Sequence, residues 1–81
     1  MAVPVVLVVD DEASIRRTLR EILEYEDYAV EEAEDGVIAL EKLRAARFDV
    51  VLLDVKMPKK DGMEVLEAIA KEKIDVPVVM I

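Results

Sequence analysis

The segment LLDVKMPKKDG, residues 52–62, joins a short aliphatic run to a single carboxylate, Asp54, and then to a proline and an Asp-Gly pair. A short, continuous aliphatic run is typical of a strand that is buried on both faces. A chain that needed only a core would not end such a strand in an acid, because burial disfavours the charged form. The segment therefore predicts a rigid strand that holds one carboxylate still, followed by a turn into a helix.

Three other strands are predicted along the chain. Two of them are fully apolar, Val5–Val9 and Val76–Ile81, like the run Val50–Leu53 before Asp54. The run Tyr28–Ala33 is half polar, which is expected of a strand at the edge of a sheet. Its acids and the next one, Glu31, Glu32 and Glu34, are interpreted as a solvated edge.

The segments between the strands have the apolar period of amphipathic helices. The residues predicted to face the sheet are Ile15, Leu19, Ile22 and Leu23 in the first helix, Val37, Leu40 and Leu43 in the second, and Val65, Leu66 and Ile69 in the third. The charged residues predicted on the other side of the first helix are Arg16, Arg17, Arg20, Glu21 and Glu24. Asp35 is predicted to cap the second helix, and Gly62 leads into the third.

Strands and helices that alternate in this way predict an α/β fold with a doubly wound parallel sheet, right-handed crossovers and helices on both faces. If the half-polar second strand is the edge, the apolar first and third strands are central and the strand order is 2-1-3-4. The 81 residues fit one domain. In such a sheet, ligands bind at the carboxyl ends of strands one and three, where the winding direction changes.

Three acids are predicted to meet at that point. Asp10 and Asp11 follow the first strand, and Asp54 ends the third. Carboxylates this close repel one another, so a hard divalent cation is the expected occupant, and Mg²⁺ fits better than Ca²⁺ because few side chains are offered. A purely structural alternative is that Asp10, Asp11 or Glu12 caps the helix beginning near Ala13, but a cap explains one acid and not a pair.

Composition excludes several classes of function. The chain has no cysteine and no histidine, so its chemistry must use carboxylates, lysines, hydroxyls and backbone groups. A formal net charge of −8 disfavours direct binding of nucleic acid. The N-terminal apolar run is too short for a membrane span and lacks the basic start of a signal peptide, which predicts a cytoplasmic protein.

Three motifs together resemble the receiver domain of bacterial two-component response regulators, which has a flavodoxin-like fold. They are VVDDE at residues 8–12, LLDVKMPKKDG at residues 52–62 and PVVMI at residues 77–81. The similarity runs through the whole chain in order and spacing. It implies a signalling phosphoacceptor rather than an enzyme, which receives a phosphoryl group from a sensor histidine kinase.

The resemblance also implies roles for individual residues. Asp54 would carry the phosphoryl group, and Mg²⁺ would be bound by Asp10, Asp11, Asp54 and the backbone carbonyl of Lys56. Met57-Pro58 would fix the loop that presents this carbonyl. The lysines at positions 56, 59 and 60 are more readily interpreted as solvated surface than as phosphate ligands.

The family pattern continues beyond the position of Ile81 with a hydroxyl residue, a helix, a strand that ends in a lysine, and a last helix. The resemblance therefore implies an incomplete receiver over residues 1–81, without the lysine that pairs with the phosphoryl group, and little stable acyl phosphate. It also predicts that Val76–Ile81 forms an open strand edge, so that two or more copies associate through the fourth strand.

Other functions remain open on the sequence alone. A structural or engineered half-fold that makes protein contacts without phosphotransfer would keep the same core. A metal-dependent phosphatase with an aspartyl intermediate would need a second acid where Lys56 stands. A nucleotide-binding fold is disfavoured because neither Gly36 nor Gly62 lies in a phosphate-binding loop.

Overall fold

The computed structural model describes residues 3–54, 56–57 and 61–81, apart from the side chain of Asp61. Strands and helices alternate along these residues, as predicted. The elements are β1 (Val5–Val9), α1 (Ala13–Tyr25), β2 (Ala29–Ala33), α2 (Gly36–Ala45), β3 (Val50–Leu53), α3 (Asp61–Lys71) and β4 (Val78–Met80). None of the described helices is both long enough and apolar enough to cross a bilayer.

The four strands form one parallel sheet in the order β2-β1-β3-β4, which confirms the predicted fold class and strand order. The apolar strands β1 and β3 are central neighbours, and the half-polar β2 lies at one edge. In the register of β1 and β3, Val9 is opposite Leu53. The carboxyl ends of these two strands therefore lie side by side, and the residues that follow them are brought together.

The core lies on both faces of the sheet, because successive side chains of a strand point to opposite faces. Leu7 and Val9 of β1 pack in the larger cluster with buried side chains of α2 and α3. Val6 and Val8 pack on the opposite face, where Leu19 and Leu23 of α1 cover them. The predicted buried face of α3 is confirmed, with Val65 and Ile69 buried and Leu66 packed against them.

Two predicted helix faces need correction. In α1, Ile22 is 56% exposed, because the sheet contacts fall on Leu19 and Leu23, one helical turn apart, and Ile15 is also partly exposed. In α2, Val37 is 69% exposed, whereas the small residues Gly36 and Ala39 are buried together with Leu43. A pattern based on large apolar side chains places the face of α2 wrongly because small residues form part of it.

β4 is shorter than the predicted strand Val76–Ile81 and is not buried on both faces. Val79 and Met80 are exposed, since among the described residues β4 pairs only with β3. Pro77 precedes the strand and has no N–H to donate, although its carbonyl accepts a hydrogen bond from Val51. β2 is also slightly shorter than predicted, because Tyr28 lies outside it.

Candidate functional site

Three carboxylates converge at the carboxyl end of the sheet, as predicted. Asp10 and Asp11 directly follow β1, and Asp54 directly follows β3. Each contributes a carboxylate oxygen, and these oxygens all lie within 4.8 Å of one another. The three acids differ in exposure, because Asp10 is buried, Asp54 is half-buried and Asp11 is exposed.

Asp10 is fixed by its backbone and by its side chain. Its N–H donates to the carbonyl of Ala33 in β2 at 3.1 Å, and its Oδ1 accepts the N–H of Glu12 at 2.9 Å. Only 3% of Asp10 is exposed. Glu12 occupies the N-cap position of α1 without a side-chain capping bond, so Asp10 orders the loop before the helix.

The cap of α2 is as predicted, since Asp35 accepts the N–H of Ile38 at 2.9 Å.

Asp54 is held at the adjacent strand end, and within the part of the chain that the structure describes only its Oδ1 accepts a hydrogen bond. Its N–H donates to the carbonyl of Val9 at 3.0 Å, which extends the pairing of β1 and β3 by one residue. Its Oδ1 accepts the N–H of Lys56 at 2.8 Å. Met57 is buried in the core, a role the sequence did not predict, and Pro58, Lys59 and Lys60 lie outside the described residues.

The acids open onto a pocket of about 460 Å³ at the end of the sheet. Its walls combine the carboxylates with apolar side chains from α1 and from the end of β4. The lining residues are Asp10, Asp11, Glu12, Ile15, Leu19, Asp54, Lys56 and Ile81. Such a site offers hard oxygen ligands beside an open volume, which suits a magnesium ion that also binds a phosphate group.

The surroundings of Asp10 disfavour the ionised form of its carboxyl group. Burial raises the pKa of Asp10, and the negative charges of Asp54 and Asp11 raise it further. The hydrogen bond from Glu12 and the positive charge of Arg16 oppose this shift without cancelling it. Without a cation, the site therefore stores unfavourable charge repulsion.

Asp10→Asn is expected to stabilise the metal-free protein by about 0.5–2 kcal/mol, the gain that single stabilising substitutions commonly give. The asparagine Oδ1 can still accept the Glu12 N–H, while the buried negative charge is removed. The measurement is urea unfolding at pH 7 in the presence of a chelator. A variant less stable than the wild type would contradict the prediction.

The pH dependence of this gain follows from the raised pKa of Asp10. The native state holds the proton of Asp10 more tightly than the unfolded chain does. The wild type therefore gains stability as the pH falls from above the raised pKa of Asp10 to the ordinary value of 3.8. The advantage of Asp10→Asn should consequently be largest at neutral pH and shrink across that window. An advantage that is independent of pH would exclude the charge of Asp10 as its cause.

Two arginines were predicted on the solvent side of α1, and the structure shows that this was wrong. Arg16 and Arg20 both reach across to Glu32 of β2, and Arg20 also donates to the carbonyl of Val30 at 2.9 Å. Burial pushes the pKa of Glu32 upward, but the hydrogen bonds from the two arginines outweigh it and the pKa is lowered. Glu32 is therefore an ion-pair partner and not part of a solvated edge. The i, i+4 spacing of the arginines beside an acid-bearing strand was the available signal.

Comparison with known proteins was made on sequence and on structure. The family model described as the response regulator receiver domain matches residues 6–81. Transcriptional regulatory protein ResD of Bacillus subtilis is 51% identical over 76 residues, which cover 94% of this chain and 31% of ResD.

Solved structures show the same similarity. The response regulator protein TrrA of Thermotoga maritima, in complex with Mg²⁺-BeF, is 42% identical with a TM-score of 0.87, covering 95% of this chain and 67% of TrrA. Chemotaxis protein CheY4 of Vibrio cholerae is 41% identical with a TM-score of 0.89, covering 98% of this chain and 68% of CheY4. The chain spans about a third of the length of the curated relatives it matches.

Proposed function

Because this chain belongs to the response regulator receiver family, whose members are signalling phosphoacceptors, we propose that Asp54 accepts a phosphoryl group from a phosphohistidine of a sensor histidine kinase. The observation that carries the proposal is the carboxylate of Asp54, half-buried at an open pocket and within 4.8 Å of the carboxylates of Asp10 and Asp11. We place the transfer in the cytoplasm on the basis of the family.

The hydrogen bond at Asp54 supports separate tasks for its two carboxylate oxygens. Oδ1 accepts the N–H of Lys56, which orients the carboxylate. Oδ2 is the oxygen that would attack the phosphorus atom, forming a P–O bond as the P–N bond of the phosphohistidine breaks and the imidazole leaves with its electron pair. A carboxylate is ionised at neutral pH, so the step needs positioning and charge neutralisation rather than a general base.

The residues present fit a bound Mg²⁺, which would neutralise charge on the transferring phosphoryl group. Asp10 and Asp11 would hold it together with Asp54, and the backbone carbonyl of Lys56 is proposed as a further ligand. Hard carboxylate oxygens beside an open volume match the usual magnesium site. TrrA, which is similar over most of this chain, was solved in complex with Mg²⁺-BeF.

The direct test is incubation of the chain with acetyl phosphate and Mg²⁺, read by intact mass, and with beryllofluoride and Mg²⁺, read by backbone chemical shifts. We expect added mass, or shifts centred on Asp54, that depend on Mg²⁺. Beryllofluoride is included because its binding does not require a stable acyl phosphate. No response to either reagent would favour the alternative of a half-fold that makes protein contacts without phosphotransfer.

Mg²⁺ alone is expected to stabilise the folded chain, because it binds the carboxylate cluster only when the strands are assembled. The gain should reach about 2.7 kcal/mol at a free concentration one hundred times the dissociation constant. Asp11→Asn should abolish it, and Asp35→Asn, at the same end of the sheet, should not. A melting temperature indifferent to millimolar Mg²⁺ would remove the metal site from the proposal.

Self-association through β4 stays a prediction. The exposed side chains of Val79 and Met80 lie on a strand that pairs with β3 on one side within the described part of the chain. Sedimentation at micromolar concentration should show a dimer or larger assembly, and Val79→Lys should shift it toward monomer, since a charge disfavours edge pairing. A monomeric wild type would contradict this prediction.

A further inference from the structure

The loop that carries Asp10 is tied to β2 by a route that uses the side chain of Arg16. Arg16 donates from Nη1 to the carbonyl of Asp10 at 2.6 Å and from Nε to Oε1 of Glu32 at 3.1 Å. Its side chain is only 14% exposed, and that of Glu32 is 26% exposed. The guanidinium group therefore bridges β2 and the loop that carries Asp10, using two separate N–H donors. The planar guanidinium of arginine suits such a bridge, whereas the single ammonium group of a lysine would make it poorly.

This bridge completes the fixation of Asp10. The N–H of Asp10 is held by Ala33 and its Oδ1 by the N–H of Glu12, so the carbonyl is its remaining backbone anchor. Ala33 and Glu32 are neighbours in β2, which means that one strand holds Asp10 directly and through Arg16. Among the described residues, Oδ2 of Asp10 accepts no hydrogen bond, which leaves it as the oxygen to bind a ligand.

Building on the proposed function, we infer that Arg16 is a positioning residue for the cation site, which sets the Asp10–Asp11 loop through its bond to the Asp10 carbonyl while Glu32 holds it in place. Partners that orient the ligands of a metal site commonly change its affinity 10–100-fold when removed. Arg16 touches neither cation nor phosphoryl group in this role, since it does not line the pocket and its Nη1 and Nε donate to Asp10 and Glu32.

The sign of the effect separates positioning from simple electrostatics. Arg16 carries a positive charge near the carboxylate cluster, so by charge alone its removal should tighten the binding of a cation. A purely structural role would lower the melting temperature and leave the affinity of the folded protein unchanged. Of the three roles, only positioning predicts that the folded protein binds the cation more weakly when the positive charge of Arg16 is removed.

Arg20 supplies a matched control on the same helix. It also pairs with Glu32 and also donates to a backbone carbonyl, but that carbonyl belongs to Val30 and not to a residue of the site. Arg16→Gln and Arg20→Gln therefore remove the same charge. The first removes one ion pair, with Glu32, and the second removes two, with Glu32 and with Glu24. Only the first removes the bond to Asp10.

The experiment measures the Mg²⁺ dissociation constant by calorimetry for the whole chain at a temperature where each variant is folded. We expect Arg16→Gln to raise it about 10–100-fold, Arg20→Gln to leave it within about twofold, and Glu32→Gln to give an intermediate increase. If Arg16→Gln does not fold, the increase of the dissociation constant in Glu32→Gln provides the test instead. Equal or tighter Mg²⁺ binding by Arg16→Gln would overturn the inference.

A second readout does not depend on the cation. Hydrogen exchange in metal-free buffer should be faster at the N–H of Asp10 and Glu12 in Arg16→Gln than in Arg20→Gln, because the loop has lost an anchor. Equal exchange in the two variants would overturn the inference even if Mg²⁺ binds. Conversely, if the wild type binds no Mg²⁺ but the two variants differ in exchange in this way, the proposed metal site is refuted and only the role of Arg16 in the loop stands.

Discussion

Asp54→Asn is expected to abolish phosphoryl capture completely while the chain stays folded. The amide of asparagine cannot form the acyl phosphate, because it is not an anionic nucleophile. Its Oδ1 can still accept the N–H of Lys56, and the backbone bond from position 54 to the Val9 carbonyl is untouched. One of the repelling charges near Asp10 also disappears, so the melting temperature without Mg²⁺ should not fall.

The measurement is radiolabelling from a phosphorylated sensor kinase or acetyl phosphate, with Asp35→Asn as the control. Asp35 lies at the same end of the sheet, after β2, and asparagine caps a helix as well as aspartate does. Any label that the wild type acquires should persist in the control and be absent from the Asp54 variant. Label that survives Asp54→Asn would show that another residue is the acceptor.

Leu7→Ala is expected to lower the free energy of unfolding by about 2–5 kcal/mol. Leu7 has no exposed surface and lies in the central strand, packed in the cluster that joins the sheet to α2 and α3. The truncation loses transfer free energy and leaves a cavity that rigid strands cannot close. Since small domains have only about 5–15 kcal/mol of stability, this change removes much of it.

Val37→Ala is the control for Leu7→Ala. Val37 is 69% exposed on α2, and alanine favours a helix more than valine does, so this change should cost nothing measurable. Urea unfolding of both variants in the presence of a chelator provides the comparison. If the two changes had equal effects, Leu7 would not be part of the tightly packed core.

The centre of the fold could be predicted from the sequence because it depends on few, simple patterns. Continuous aliphatic runs identified β1 and β3, and the acids within β2 marked it as an edge, which together gave the strand order. Parallel strands bring their carboxyl ends to one edge of the sheet, so the meeting of Asp10, Asp11 and Asp54 followed from the order alone.

The parts that could not be predicted depend on distances between elements. The spacing of large apolar side chains predicted that Val37 lies on the buried face of α2. In the structure, the small residues Gly36 and Ala39 lie there instead. Helical spacing also assigns charged residues to solvent, and it missed Arg16 because a long side chain can cross from one element to another. Arg16 contacts both the Asp10 carbonyl and Glu32 of β2, and neither contact can be read from the spacing within α1.

The register of β1 against β3 also has a kinetic consequence. Val9 and Leu53 meet only after the chain between them has closed a long loop, which is a slow kind of contact to form. The cluster of Asp10, Asp11 and Asp54, the proposed cation site, is complete only when that pairing has its final geometry. A cation bound there should therefore prolong the lifetime of the native state by slowing unfolding, while the rate of refolding stays nearly the same.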